Sequence, residues 1–235
     1  MKRLFKVLGI VIGIGLLVLI ISLFAIHEPL PQAQTGREAD VLAEKMLEAL
    51  NYKTYEETRF LEWSYRNGAN QYKWDKELGK VEVEWGDNHV KLDVVHLEKS
   101  LAYKNGKSLA FDEKEKLVDK ALKNFNNDSF WLVAPYKVFD LGTERSIVTL
   151  PDGTEALLVT YTSGGTTPGD SYLWLLNENA FPRAFKMWVN IIPIGGLEAS
   201  WDDWIVTQSG AFLPKSHALG PVNLSMGNVK AYNTK

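Results

Sequence analysis

Apolar and polar positions along the chain change their period several times, and each change predicts a different element. Val7 to Ile26 is an unbroken run of apolar residues and glycine with one serine, Ser22. As a helix it is long enough to cross a hydrocarbon core of ~30 Å, so it predicts a transmembrane span. A cleaved signal peptide has a shorter apolar stretch of about 7–15 residues and a small-x-small site. Here the run ends Leu23-Phe-Ala-Ile-His-Glu-Pro29 without such a site, so the span reads as an uncleaved anchor. Gly9 and Gly13 have GxxxG spacing, which ordinary glycine use in membrane helices explains without helix pairing. Residues 27–36 contain Pro29 and Pro31 and read as an extended tether. The remainder, 37–235, reads as one domain.

That domain opens with a 3.6-residue period. Thr35-Gly-Arg-Glu38 fits a capping box, and Ala39, Leu42, Ala43, Met46, Leu47 and Leu50 give one apolar helix face, with Asn51 as the stop. From Thr58 to Lys104 the period becomes two, punctuated by turns at Asn67-Gly68, Leu78-Gly79, Gly86-Asp87-Asn88 and Asn105-Gly106, which predicts an antiparallel meander. Its apolar face carries Leu61, Trp63, Tyr65, Tyr72, Trp74, Val81, Val83, Trp85, Val90, Leu92 and Val94. The wet face carries Glu62, Lys73, Glu82, Glu84, Lys91 and Asp93. Helical spacing returns from Glu113 to Phe125, with Asp112 as cap and Asn126-Asn127-Asp128 as terminator. Strands then resume over 145–150, 155–162, 171–176, 183–190, 197–206, 212–218 and 222–232. Tyr172 to Leu176 and Phe185 to Val189 are apolar on both faces, which places them mid-sheet with both faces covered. The sum is an α+β domain, a curved antiparallel half-barrel sheet of about ten strands with helices on its concave face.

Composition and charge narrow the partners. Of 235 residues, 46% are hydrophobic and 23% charged, with a net charge of -3. Lys2, Arg3 and Lys6 precede the span, which puts residues 1–6 in the cytoplasm and the domain on the far side. Setting those three aside, 23 basic residues face 29 acidic ones, which argues against a nucleic-acid surface. The chain has no cysteine, which excludes disulfides, thiolate metal sites, Cys nucleophiles and lipidation at a lipobox Cys.

Chemistry-bearing motifs are weak. His89 and His96 lie an odd number of residues apart and His27 sits at the membrane edge, so the four histidines predict no metal site. Ser163-Gly-Gly-Thr-Thr-Pro-Gly-Asp170 lacks the Gly-Lys-Ser/Thr ending of a phosphate loop and precedes a strand, so it reads as a long hairpin loop, and no elbow motif surrounds Ser163. Trp201-Asp-Asp-Trp204 puts its two rings on opposite strand faces, and Glu82 and Glu84 share a solvated face. No converging catalytic constellation emerges, and no cofactor is expected.

The layout resembles the bacterial lipoprotein-localisation carrier superfamily. Leu175-Leu-Asn-Glu-Asn-Ala-Phe-Pro182-Arg resembles that family's strand, turn and Pro-Arg opening, and Ser209-Gly-Ala-Phe-Leu-Pro214 resembles its later Gly-x-x-x-Pro hairpin. The likeness spans about residues 38–230, and the chain looks like a membrane-anchored branch of the superfamily. It departs from the soluble carriers, whose signals are cleaved, and from the Cys-lipidated receptor. The resemblance implies a non-catalytic domain tethered to the inner membrane, facing the periplasm and taking an acyl chain or lipoprotein. Trp63, Trp74, Trp85, Leu92, Trp174 and Trp188 are the residues expected to line its apolar cavity. The other reading is a sensor or scaffold that docks another envelope protein.

Overall fold

The structure is a computed structural model, and it describes Gly13, residues 26–164 and residues 166–234. Apart from Gly13 and Ile26, the 7–26 span lies outside the described residues, as do residues 1–6. Among the described residues no helix is long and apolar enough to cross a membrane. In chain order the helices are α1 Arg37–Ala49, α2 Tyr52–Glu57 and α3 Phe111–Val133. The strands are β1 Gln34–Thr35, β2 Phe60–Tyr65, β3 Asn70–Asp75, β4 Lys80–Trp85, β5 Asn88–Asp93, β6 Leu101–Lys104, β7 Lys107–Ser108 and β8 Thr143–Thr149. They continue with β9 Glu155–Tyr161, β10 Ser171–Leu176, β11 Pro182–Trp188, β12 Leu197–Ser200, β13 Asp203–Val206, β14 Phe212–Leu219, β15 Val222–Ser225 and β16 Lys230–Tyr232.

All pairings among them are antiparallel, and the domain is α+β. The strands form two sheets, where the sequence predicted one. The smaller runs β16-β2-β3-β4-β5-β6-β7; the larger runs β1-β8-β9-β10-β11-β12-β14-β13, with β15 also on β14. The division falls inside the stretch 222–232, which reads as one strand. Buried Met226 interrupts it: its amide donates to the Lys215 carbonyl in the larger sheet (2.7 Å), and its carbonyl accepts from the Ser64 amide in the smaller (3.0 Å). Hydrogen bonds far apart in sequence therefore decide the split.

The smaller sheet follows the predicted meander. Trp63, Tyr72, Val83, Val90 and Ala102 form one cross-strand row on the buried face, and Leu61, Trp74, Val81 and Leu92 form the next. On the other face Lys230, Glu62, Lys73, Glu82 and Lys91 alternate in charge from strand to strand, so each carboxylate has a cation opposite. Asp93 departs from the expected wet face. It is buried at the end of β5, where Lys80 and the amides of Val95 and His96 hold its carboxyl down at about 2.

Two helix termini differ from expectation. The capping box at Thr35 does not form, because Thr35 is drawn into β1 opposite Ser146 and Gly36 takes the cap position without a side-chain bond. The predicted stripe of α1 is nonetheless its buried face, with Ala39, Ala43, Met46 and Leu50 at or near zero exposure, and left-handed Asn51 (φ 52°) ends the helix as expected. Helix α3 starts two residues earlier than predicted, with Asp112 in its first turn, and continues eight residues past Phe125. Asn126-Asn127-Asp128 fails to stop it because these polar side chains find partners away from their own backbone. Asp128 is buried and accepts from Tyr72 Oη (2.5 Å), Asn70 Nδ2 (2.7 Å) and Asn127 Nδ2 (2.8 Å). Asn126 Nδ2 reaches Thr166 Oγ1 at 3.2 Å.

The larger sheet has a second, smaller apolar cluster on its outer face, made of Val148, Ala156, Leu158, Leu173, Leu175 and Ala184 with Trp188 against it. The N-terminal segment, predicted to be a tether, is extended but tied to this face. Glu28 donates its amide to the Gly195 carbonyl (3.0 Å), accepts from Trp188 Nε1 on its own carbonyl (2.8 Å) and pairs its carboxylate with Lys186 (2.8 Å). The Gly195 amide also donates to His27 Nδ1 at 3.0 Å, and the segment ends by pairing β1 with β8. The predicted strand 197–206 breaks after buried Trp201, whose amide makes the last bond in the register of the β11–β12 ladder, to the Arg183 carbonyl (2.7 Å). The break brings the Trp201 and Trp204 rings within 5.7 Å of each other, where an unbroken strand would have sent them to opposite faces.

The Asp128 constellation yields the first test. Asp128→Ala leaves two buried donors without an acceptor and is expected to cost about 2–4 kcal/mol in urea unfolding, while Tyr72→Phe costs about 1–3 kcal/mol. Two variants within error of the parent chain would contradict this placement of α3.

Candidate functional site

A cavity of about 900 Å³ opens beside the C-terminal half of α3, between the two sheets. Helix α3 contributes Phe125, Ser129, Phe130 and Trp131 to its wall; β3 contributes Trp74; the larger sheet contributes Tyr161, Tyr172 and Met187. The rings brace one another: Phe130 stands edge-on to Tyr161 (5.4 Å) and against Tyr172 (4.6 Å), and Trp74 stands edge-on to Phe125 (5.2 Å). Interlocked rings of this kind cannot fold inward to fill a void, so the space stays open. Burial pushes the Tyr161 and Tyr172 hydroxyls well above the usual tyrosine range, so both are neutral at physiological pH. The wall is apolar and uncharged at its centre.

The register of the larger sheet fixes where the cavity opens. Thr143 pairs with Tyr161, Thr160 with Ser171, and Ser171 with Trp188, so these residues share one end of the sheet; Thr149 with Glu155 and Leu176 with Pro182 mark the other. The β14–β15 turn joins the first end, because Leu219 pairs with Ala199 and Val222. Loops at that end supply Leu141, Ile191 and Val222 to the cavity lining, and these apolar side chains are 98%, 70% and 51% exposed. The mouth is therefore rimmed by oily residues.

Of the six residues expected to line a cavity, Trp74 does so. Trp63 stacks on Tyr72 (4.6 Å) and Leu92 is fully buried beneath α3; both belong to the solid core. Trp174 is fully enclosed by Phe185 and Trp201. Trp85 lies under the Lys120 ammonium, 5.5 Å from its ring centre. Trp188 sits on the opposite face of the larger sheet, against Glu28. The open space lies beside the C-terminal half of α3, around Phe125 to Val133.

Polar groups near the cavity are engaged in structure. Asp170 is buried and accepts from the Asn190 amide (2.8 Å) and Thr167 Oγ1 (2.5 Å), which organises the β9–β10 and β11 loops. Ser163, in the β9–β10 hairpin loop, lies against Gly142, where a Cβ would come within 2.1 Å of its Oγ. No histidine is among the described lining residues. A cluster that histidine spacing alone missed lies on the outer face of the smaller sheet. Glu84 pairs directly with His89 across the Gly86-Asp87 turn, and Glu82 lies two residues along, so three ligand atoms fall within 4.8 Å of one another. The signal was the hairpin register. Both glutamates are exposed, and Glu82 belongs to the alternating charge ladder of that face.

His217 fastens the cavity's back wall. Its ring is buried, with Nδ1 2.7 Å from the Ser200 carbonyl and Nε2 2.7 Å from the Trp131 carbonyl of α3.

No family model matches the chain, and no curated protein matches it. The two stretches that resemble the lipoprotein carriers both form hairpins. Asn177 to Phe181 turns through left-handed Ala180 (φ 62°) into Pro182, the first residue of β11, and Ser209-Gly210 turns β13 into β14.

Burial pushes the His217 pKa below its ordinary value, against the pull of the two carbonyls and of Asp202 and Asp203. The unfolded chain then takes up this proton first, near pH 6.5, so its contribution to stability is present above that pH and is lost as pH falls below it. Unfolding free energies from urea titrations between pH 7.5 and 5 are expected to fall with pH by up to about 1.4 kcal/mol per unit more in the parent chain than in His217→Gln. Parallel curves would contradict it.

Proposed function

We propose that this chain is a membrane-tethered acyl-chain binding protein of the cell envelope, facing the periplasm and non-catalytic. The observation that carries the reading is the open cavity walled by Phe130, Tyr161, Tyr172 and Met187, whose volume of about 900 Å³ falls in the range of ligand pockets, ~300–1,000 Å³. A wall of rings and thioether without a charge at its centre suits a hydrocarbon chain, each methylene of which gains about 0.8 kcal/mol on burial before binding costs. On this reading the two antiparallel sheets act together as the open half-barrel of the lipoprotein-localisation carriers, with α3 as its plug. Polar lining at the edge, Asn126, Thr166 and Arg66 among it, suits a headgroup left at the surface. The anchor, read from residues 7–26, keeps the domain at the inner membrane, where acyl chains are concentrated.

The test is saturable uptake of a fluorescent polyene fatty acid by the full-length chain, read by energy transfer from its tryptophans, with lipid extraction and mass spectrometry of the purified protein alongside. Val189, at the cavity wall, is replaced in Val189→Trp to fill the space. The parent chain is expected to bind saturably and carry lipid, and the filled variant to bind at least tenfold more weakly with an unchanged melting temperature. Absence of saturable uptake, or equal uptake by the filled variant, would favour the docking scaffold.

A further inference from the structure

We infer that the domain does not swing on a free tether but sits with the mouth of its cavity against the bilayer that holds its anchor, so that an acyl chain enters from lipid without crossing water. The inference deepens the proposed function and rests on the reading of residues 7–26 as a membrane span.

Three observations converge on one end of the larger sheet. The first is where the chain arrives. The span ends at Ile26, and the next two residues are already fixed: His27 Nδ1 accepts from the Gly195 amide, and Glu28 is held by Gly195, Trp188 and Lys186. On that reading no free residue lies between the end of the span and these contacts, and the segment then crosses the outer face to β1, whose Thr35 lies on the same cross-strand row as Lys186. The second is what lies beside that attachment. The same β11–β12 loop that binds His27 at Gly195 lines the cavity with Ile191 and Ile192. Only Pro193 and Ile194 lie between Ile192 and Gly195, three peptide steps with a reach of at most about 11 Å. The third is the chemistry of the rim. This end presents Leu141, Ile191 and Val222, together with Pro193 and Ile194. Of the charges close to it, Lys137 pairs with Asp140 and Glu28 with Lys186, while Arg66 lines the edge of the cavity. Loops at the far end of the same strands expose Asp152, Glu178, Arg183 and Asp202 instead. An oily rim beside an anchor and a charged rim away from it is the asymmetry of a domain resting on a bilayer, where exposed apolar side chains gain by entering the interface.

The chain has no cysteine, so single cysteines can be introduced and labelled cleanly. Ile191→Cys, Leu141→Cys and Val222→Cys probe the mouth, and Glu178→Cys probes the far end. Each full-length variant carries an environment-sensitive fluorophore and is reconstituted in phosphatidylethanolamine–phosphatidylglycerol vesicles, with and without nitroxide-labelled lipid. Blue-shifted emission quenched by the lipid nitroxide is expected at 191, 141 and 222, and water-like emission quenched by iodide at 178. A chain that fails to float with the vesicles would overturn the span and the seating together. A chain that floats with residue 191 as wet as residue 178 would overturn the seating alone and leave acyl binding standing. Protection of residue 191 from iodide without quenching by lipid would mean that a protein covers the mouth, and would equally overturn the seating.

Discussion

One turn of α3, from Asp128 to Trp131, joins the two sheets, and the rest of the architecture depends on that join. The Asp128 carboxyl group is held by Tyr72 and Asn70 of the smaller sheet, and three residues on, the Trp131 carbonyl meets His217 of the larger one. A buried polar group without partners costs more than a made hydrogen bond gains, so these contacts fix the helix in one register against both sheets. Helix α3 is thereby held at the height where Ser129, Phe130 and Trp131 face the opening between sheets, and small Ser129 among large rings leaves the gap unfilled.

The same turn separates what the sequence made legible from what it did not. The meander was readable because each strand is bounded by local turn residues and alternates strictly, so parity alone assigned Leu61, Trp63, Val81 and Val83 to the buried face. The stripe of α1 was readable for the same local reason. Helix α3 was cut short because Asn126-Asn127-Asp128 is a stop signal by propensity, and only distant partners on β3 overturn it. The single sheet became two through Met226, and the tether became a strap through Gly195, both by backbone bonds to residues remote in sequence. Cavity lining was the least legible. Alternation tells which face a residue occupies but not whether that face meets a helix or a void, and on β11, apolar on both sides, it does not tell which face is which. Trp188 accordingly fell on the outer face, while Met187 beside it lines the cavity. Phe130 lay in a stretch that carried no period once the helix was taken to end at Phe125.

Attachment and opening coincide on this domain. A strap of two hydrogen-bonded residues, His27 and Glu28, is held on the β11–β12 loop, and the cavity mouth lies on that same loop. Buried aromatic rings and neutral tyrosines line the space, Asp170 beside them is held by Thr167 and Asn190, and Lys137 pairs with Asp140 near the mouth. On the proposed reading these features suit a ligand that is long and apolar.

The most direct measurement is an electron-density map of the full-length chain isolated from its own membrane without added ligand. The account predicts continuous tubular density of hydrocarbon width between Phe130 and Met187, leaving the cavity past Ile191. A map in which these side chains close the space, or in which it holds only discrete water peaks, would contradict it.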